Sequence, residues 1–266
     1  MKGKISVILP TLNRPTLKEA LESVFKQSYS DFEIILVDTT GELKARSVFE
    51  EFKNEKLRYF SSSRLLNSAE GRNFGIKKAT GDFFVFFDDD DVLPPDSFEV
   101  RLKFLVKQPK EVGMIFARYR KFIVEKGKMK WLKIRNDKKR KFIDFLKKHN
   151  FAPKLTFETL KKYNFVYGGT PIVKKEVLDK IGGFDEKFEC FVDYDFWLKV
   201  AKNYRLNFLD RIVYFYRRPN PEAITNDVFK TSLQTVMKRT GKSRHYALLL
   251  CKKWGIKEGE QFKFEK

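Results

Sequence analysis

Phe83-Phe84-Val85-Phe86-Phe87-Asp88-Asp89-Asp90-Asp91 sets an unbroken apolar run directly against four carboxylates. An apolar run of this length reads as a strand buried on both faces. The carboxylates behind it repel one another and cannot be buried unpaired. A divalent cation is the simplest thing to hold them, and a solvated acidic turn is the plain alternative. Mg2+ and Mn2+ prefer oxygen ligands and share their shell with substrate phosphates.

Outward from this junction the pattern repeats. Ile5-Ser6-Val7-Ile8-Leu9 and Glu33-Ile34-Ile35-Leu36-Val37 read as further buried strands, the second ending at Asp38. Pro15 and Thr16 open a helix with Leu17, Ala20, Leu21, Val24 and Phe25 on one face. A helix is expected over residues 42–52, a strand over 57–60, and a helix over 69–79 stopped by Gly81. Alternating strands and helices predict an α/β fold: a mainly parallel, Rossmann-like sheet with helices on both faces. Such sheets bind ligands beyond the carboxyl ends of their strands. Asn13, Asp38 and the aspartate run are therefore expected at one edge.

Further on, Pro94-Pro95 opens a helix with Phe98, Leu102, Leu105 and Val106 inward, and residues 112–119 read as a strand. Residues 118–148 are dense in Lys and Arg, interleaved with Phe122, Trp131, Phe142 and Phe145, and predict a hairpin followed by a basic amphipathic helix. Residues 165–173 read as a glycine-broken strand and 175–181 as a helix stopped by Gly182-Gly183. An approach loop and helix follow over 190–201, with Trp197, Val200 and Ala201 on one face. A last strand covers 212–216, and the tail from Pro221 reads as helical and basic.

The 266 residues, 42% hydrophobic, suffice for one large domain with an appendage. No apolar stretch approaches the ~20 residues of a spanning helix, and the first residues lead into a strand pattern rather than a signal peptide. Cys190 and Cys251 are isolated, without zinc or redox spacing, which fits a reduced, cytoplasmic setting. The net charge of +20 implies an anionic partner, or an excess of solubilising lysines.

Several segments carry a resemblance together. They are Ser6-Val7-Ile8-Leu9-Pro10-Thr11-Leu12-Asn13-Arg14, Leu21-Glu22-Ser23-Val24-Phe25-Lys26-Gln27-Ser28, and residues 32–38. Next come Gly71-Arg72-Asn73-Phe74-Gly75-Ile76 with Ala79-Thr80-Gly81-Asp82, then Asp88-Asp89-Asp90-Asp91-Val92-Leu93-Pro94-Pro95. The last are Gly182-Gly183-Phe184-Asp185-Glu186 and Val192-Asp193-Tyr194-Asp195-Phe196-Trp197-Leu198. In this order and spacing they resemble the family 2 glycosyltransferases of the GT-A fold, over residues 4–96 and 168–216.

The resemblance implies an inverting, metal-dependent transfer of a sugar from a nucleotide-diphosphate donor to a hydroxyl of a glycan, lipid-linked or protein-linked acceptor. Its metal would be Mn2+ or Mg2+, on Asp90 first and Asp88 beside it. Asp88 and Asp89 would also face the nucleotide, with Asp91 as support. Pro10, Thr11, Asn13, Asp38 and Arg72 would line the base and ribose. Asp193 stands at the position of the general base, where its other reading is a helix N-cap. Gly168, Gly169, Asp195 and Trp197 fall on the acceptor or sugar side, Asp195 as a supporting partner. Asn13 and Arg14 also read as turn residues, Arg72 as a partner of the aspartates, and Gly168-Gly169 as a bulge.

The chain departs from the family pattern at three places. Thr39 stands where a second acid often reads uracil, so a UDP-sugar is only the first of several donors, with GDP- and dTDP-sugars behind it. Val192 replaces a glutamate before the base. Tyr216-Arg217-Arg218 stands where many members carry a histidine, and Arg217 or Arg218 would neutralise the diphosphate as a fixed cation.

A nucleotide half over 1–96, an acceptor half over 97–218 with a basic insertion at about 118–165, and a basic helical extension over 219–266 are expected. Lys138-Lys139-Arg140-Lys141 with Phe142 and Phe145 would allow peripheral contact with an anionic inner membrane surface, or pack on the main domain. Three rivals compete. A catalytically impaired relative would keep only nucleotide-sugar binding. A nucleotidyltransferase lacks support from a Gly-rich triphosphate loop. A nucleic-acid-binding module is opposed by the acidic run and the lack of a binding motif.

Overall fold

The computed structural model describes residues 3–52, 54–132, 155–162, 164–218 and 242–256. The first half alternates β1 (Ile5–Thr11), α1 (Leu17–Phe25), β2 (Phe32–Asp38), α2 (Arg46–Phe52), β3 (Leu57–Ser61), α3 (Ser68–Lys78) and β4 (Phe83–Phe86). Then follow α4 (Ser97–Leu105), β5 (Val112–Glu125), β6 (Lys128–Trp131), α5 (Phe157–Lys162), β7 (Ile172–Lys174), α6 (Lys175–Ile181), α7 (Val192–Asn203), β8 (Arg205–Arg217) and α8 (Lys242–Trp254). The sheet has eight strands in the order β3-β2-β1-β4-β7-β5-β6, with β8 beside β5. β3, β2, β1 and β4 are mutually parallel, β7 is antiparallel to both neighbours, and β8 runs parallel to β5.

The apolar runs are continuous because both faces are covered. Ile8, Ile35, Val37, Phe84 and Phe86 belong to one core layer, with residues of α6 and α7. Val7, Leu9, Ile34, Leu36, Val85 and Phe87 belong to the other, with the inner faces of α1 and α4. Successive strand residues point to opposite faces, so each run feeds both layers.

α3 starts on a capping box: Asn67 Oδ1 accepts from the amides of Ala69 and Glu70, and Glu70 accepts from the Asn67 amide. Gly71 lets this helix press on the strand ends, since a Cβ there would stand 2.7 Å from the Thr39 methyl and 3.1 Å from Pro10. That approach brings Arg72 over the carboxyl edge of the sheet.

Some elements differ from expectation. Of the expected 165–173 strand only Ile172 and Val173 pair, as the start of β7. Gly168, Gly169 and Pro171 interrupt the ladder, and the chain turns there, with the Thr170 amide donating to Tyr167 O at 3.0 Å. β5 and β8 run much longer than read, because each long edge pairs with the other through several bulges. The hairpin is present as β5–β6 (its turn residues Lys126 and Gly127 have φ of 49° and 73°), the backbone of a tight hairpin turn. Val106 is the C-cap of α4 and is exposed rather than inward. The 42–52 helix begins only at Arg46. Residues 138–145 and the tail from Pro221 up to Lys242 lie outside the described residues.

Candidate active site

Asp88–Asp91 leave β4 at the carboxyl edge, and their side chains divide. Asp89 and Asp91 are 1% exposed, whereas the Asp88 side chain is 43% exposed and Asp90 is half-buried. Asp89 faces inward and is filled: it accepts from Thr11 Oγ1, from the Leu12 amide at 3.2 Å and from the Arg14 guanidinium. Asp91 accepts from Tyr214 OH at 2.7 Å and from the Arg217 amide at 2.8 Å. Burial, then Asp90 and Asp88, push its carboxyl well above the usual range. Asp88 accepts from Arg72 Nη2 at 2.7 Å, and the Asp90 carbonyl accepts from Arg217 Nε at 2.8 Å. Asp88 and Asp90 thus keep exposed surface, while the buried Asp89 and Asp91 tie the loop down.

The nucleotide side is built from the ends of β1 and β2. Pro10 and Asn13 are half-buried and Thr11 is buried. Asn13 adopts a left-handed φ of 57°, with its amide on Thr11 Oγ1 at 2.8 Å. Asp38 is fully buried and engaged: it accepts from the Thr40 amide and hydroxyl, the Ala45 amide and Tyr59 OH. Burial pushes its carboxyl up, but these bonds outweigh it and hold it below the ordinary value. Its visible work is to fasten the 40–45 loop. Thr39 donates its hydroxyl to Thr11 O at 2.8 Å, joining the two strand ends.

Across the edge, Asp193 lies in the first turn of α7, half-buried. The N-cap is Phe191, held at φ 61°, so Asp193 is not the cap. A Cβ on Gly168 would stand 3.0 Å from Asp193 Oδ2, which places the carboxylate against bare backbone. A Cβ on Gly169 would fall 2.0 Å from the Tyr214 ring, so only glycine admits this tyrosine, whose hydroxyl holds Asp91. The 168–171 loop therefore joins the two carboxylate groups.

Other expected site residues are engaged in holding the fold together. Asp195 is buried and accepts from Lys253 Nζ at 2.9 Å and Trp254 Nε1 at 2.7 Å, so it seats α8 rather than facing an acceptor. Trp197 is core, packed on Phe86 and Phe196. The Arg217 side chain pairs with Glu19 and lies over the Phe122 ring, bracing α1 and β5 against the aspartate loop. Arg218 lies over the Tyr216 ring. Tyr214 and Arg101 carry no local sequence signal of what they meet, one being a tyrosine in a strand and the other an arginine in a helix. Among the described residues no three His, Cys, Asp or Glu side chains converge on one ion position.

The profile of "Glycosyl transferase family 2" matches residues 6–182. The chain belongs to that family. This glycosyltransferase is 29% identical, over 87% of its length and 77% of the relative's, to an uncharacterized glycosyltransferase of Methanocaldococcus jannaschii. It is 27% identical to another of Bacillus subtilis, over 76% and 70% of the two chains. Among solved structures, the mannosyltransferase of Pyrobaculum calidifontis, in complex with GDP-Man and Mn2+, superposes with a TM-score of 0.67 at 18% identity. That match covers 98% of this chain and 71% of the other. The S. aureus protein TarS (residues 1–349), in complex with UDP-GlcNAc, superposes with a TM-score of 0.64 at 19% identity, covering 94% and 71%. The fold is the GT-A type.

Proposed function

We propose that this glycosyltransferase is an inverting, metal-dependent enzyme that moves a sugar from a nucleotide diphosphate to a hydroxyl of a glycan or lipid-linked acceptor. The observation that carries the reading is the division of the aspartates. Asp88 and Asp90 keep exposed surface at the carboxyl edge, while Asp91 is buried and tied through Tyr214 to the loop that abuts Asp193. Two carboxylates suit Mn2+ or Mg2+, which typically takes one or two protein acids and completes its shell with water and substrate phosphates. A bound ion supplies charge that stabilises the diphosphate as it leaves.

Asp193 accepts the proton of the acceptor hydroxyl as that oxygen bonds to the anomeric carbon. The bond from that carbon to the diphosphate breaks, and its electron pair leaves with the nucleotide. A single displacement by one activated hydroxyl inverts the centre. Arg72, on Asp88 at 2.7 Å, holds this side of the site and puts a cation beside the phosphates. The nucleotide rests on Pro10 and Asn13 within residues 1–96, with buried Thr11 beneath them holding Asp89, and the acceptor enters from residues 97–218. Asp38 takes part through the loop it fastens. The nucleotide sugars bound to the two structural neighbours support the donor class.

Among the described residues no helix is long and apolar enough to cross a membrane. Contact with an anionic surface, if the acceptor is lipid-linked, would be peripheral.

The test is a panel of UDP-, GDP- and dTDP-sugars with and without Mn2+, read by thermal shift and by release of nucleoside diphosphate. Metal-dependent stabilisation by one nucleotide, and turnover of its sugar, is the expected result. No shift and no release with any of them would sink the reading.

A further inference from the structure

Arg101, on α4, is 0% exposed, and among the described residues no carboxylate pairs with it. Its Nε donates to Ser97 O at 3.0 Å and its Nη2 to Ser97 Oγ at 2.8 Å. Its Nη1 reaches the carbonyls of Pro171 at 3.2 Å and of Gly169 and Thr170 at 3.4 Å. Ser97 Oγ donates onward to Val213 O at 2.6 Å, next to Tyr214. Burial pushes the guanidinium down to about 9, which leaves it charged at neutral pH.

Burying a charge without a counter-ion is costly. Here the cation meets three consecutive carbonyls of a loop that has left the sheet ladder, where its oxygens would otherwise be poorly satisfied. A planar fork of donors suits this convergence better than an ammonium does. The same loop sets Gly168 against Asp193 and Gly169 against Tyr214, and Tyr214 holds Asp91. One guanidinium therefore sits where α4, β8 and the 168–171 loop meet, behind both carboxylate groups.

We propose that Arg101 is a positioning residue for glycosyl transfer, fixing the 168–171 loop so that Asp193 and the aspartate edge stay in reacting register. This rests on the transfer reading above. The test uses Arg101→Met, Arg101→Lys and Ser97→Ala in the full chain. In Arg101→Met, amides of the 165–173 segment are expected to exchange about tenfold faster, with β1 and α3 unchanged. Release of nucleoside diphosphate should fall roughly ten- to hundredfold in kcat, with donor KM within about twofold.

Arg101→Lys should restore part of the rate by keeping the charge, and Ser97→Ala should show a smaller loss in the same direction. If Arg101→Met does not fold, Ser97→Ala and Arg101→Lys carry the same readouts. Unchanged loop exchange, or a kcat unaltered in folded protein, would overturn the inference. A wild-type chain that releases no nucleotide from any donor would defeat the transfer reading itself. The exchange measurement still tells that failure apart from a failure of Arg101 to hold the loop.

Discussion

Four adjacent aspartates of the same chemistry occupy two kinds of setting, buried and partly exposed, and substitution should separate them. Asp90→Asn should lower kcat by roughly 10²–10⁴-fold, the scale of charge stabilisation that a metal gives a leaving group. Its stability should stay near wild type, because the change relieves repulsion with buried Asp91 but gives up attraction to Arg14. Asp89→Asn should do the reverse in kind: it leaves Arg14 facing an uncharged amide in a mostly buried setting, at a cost of about 2–3 kcal/mol in urea unfolding. Asp193→Asn should lose roughly 10²–10⁴ in kcat while nucleotide-induced thermal shifts persist. The cluster and its place at a strand end are legible in the sequence. Its partition is not, because the inward pair is chosen by Thr11, Arg14 and Tyr214, which arrive from other strands and loops.

At the scale of elements, the amino end of the sheet is stitched by Glu33. The buried carboxylate of β2 accepts from Ser6 Oγ of β1 at 2.8 Å, from Arg58 of β3 at 2.7 Å and from the amide and hydroxyl of Thr80 after α3. Burial pushes Glu33 up, but the bonds from Thr80, Arg58 and Ser6 bring it to about 2 from an ordinary 4.5. The unfolded chain therefore takes the proton first. The stability this group supplies is full above pH 4.5 and drains away as pH falls towards 2. Glu33→Gln should flatten the acid limb of a stability–pH curve by on the order of 2–3 kcal/mol. The 168–171 loop makes a second case. Gly169→Ala drives a methyl into the Tyr214 ring and should cost about 1–3 kcal/mol in chemical denaturation. Strand and helix periods located most elements, because those periods are local. The loop carries a strand pattern because apolar residues stand on both sides of Gly168-Gly169, but Arg101 supplies the alternative partner for its carbonyls.

For the whole molecule, a net charge of +20 should draw an anionic donor to the site through long-range attraction. Raising salt from about 0.05 to 0.5 M is expected to raise donor KM several-fold with kcat nearly constant, since screening weakens encounter more than chemistry. The carboxyl-terminal helix α8 adds a connection that no local pattern announces: Lys253 and Trp254 grip Asp195, two residues from Asp193 and on the helix that carries it. The order of apolar runs, helices and acids was enough to establish a parallel α/β core and to put Asn13, Asp38 and the aspartates at one edge, because burial on two faces and strand direction follow from residues near one another in the chain. Which acids keep exposed surface, which are buried as struts, and how the 168–171 loop lies against both Asp193 and Tyr214 depended on contacts such as Tyr214 with Asp91, 123 positions apart. Hydrogen bonds across that span are set by the closed sheet, and nothing in the spacing of either residue specifies them.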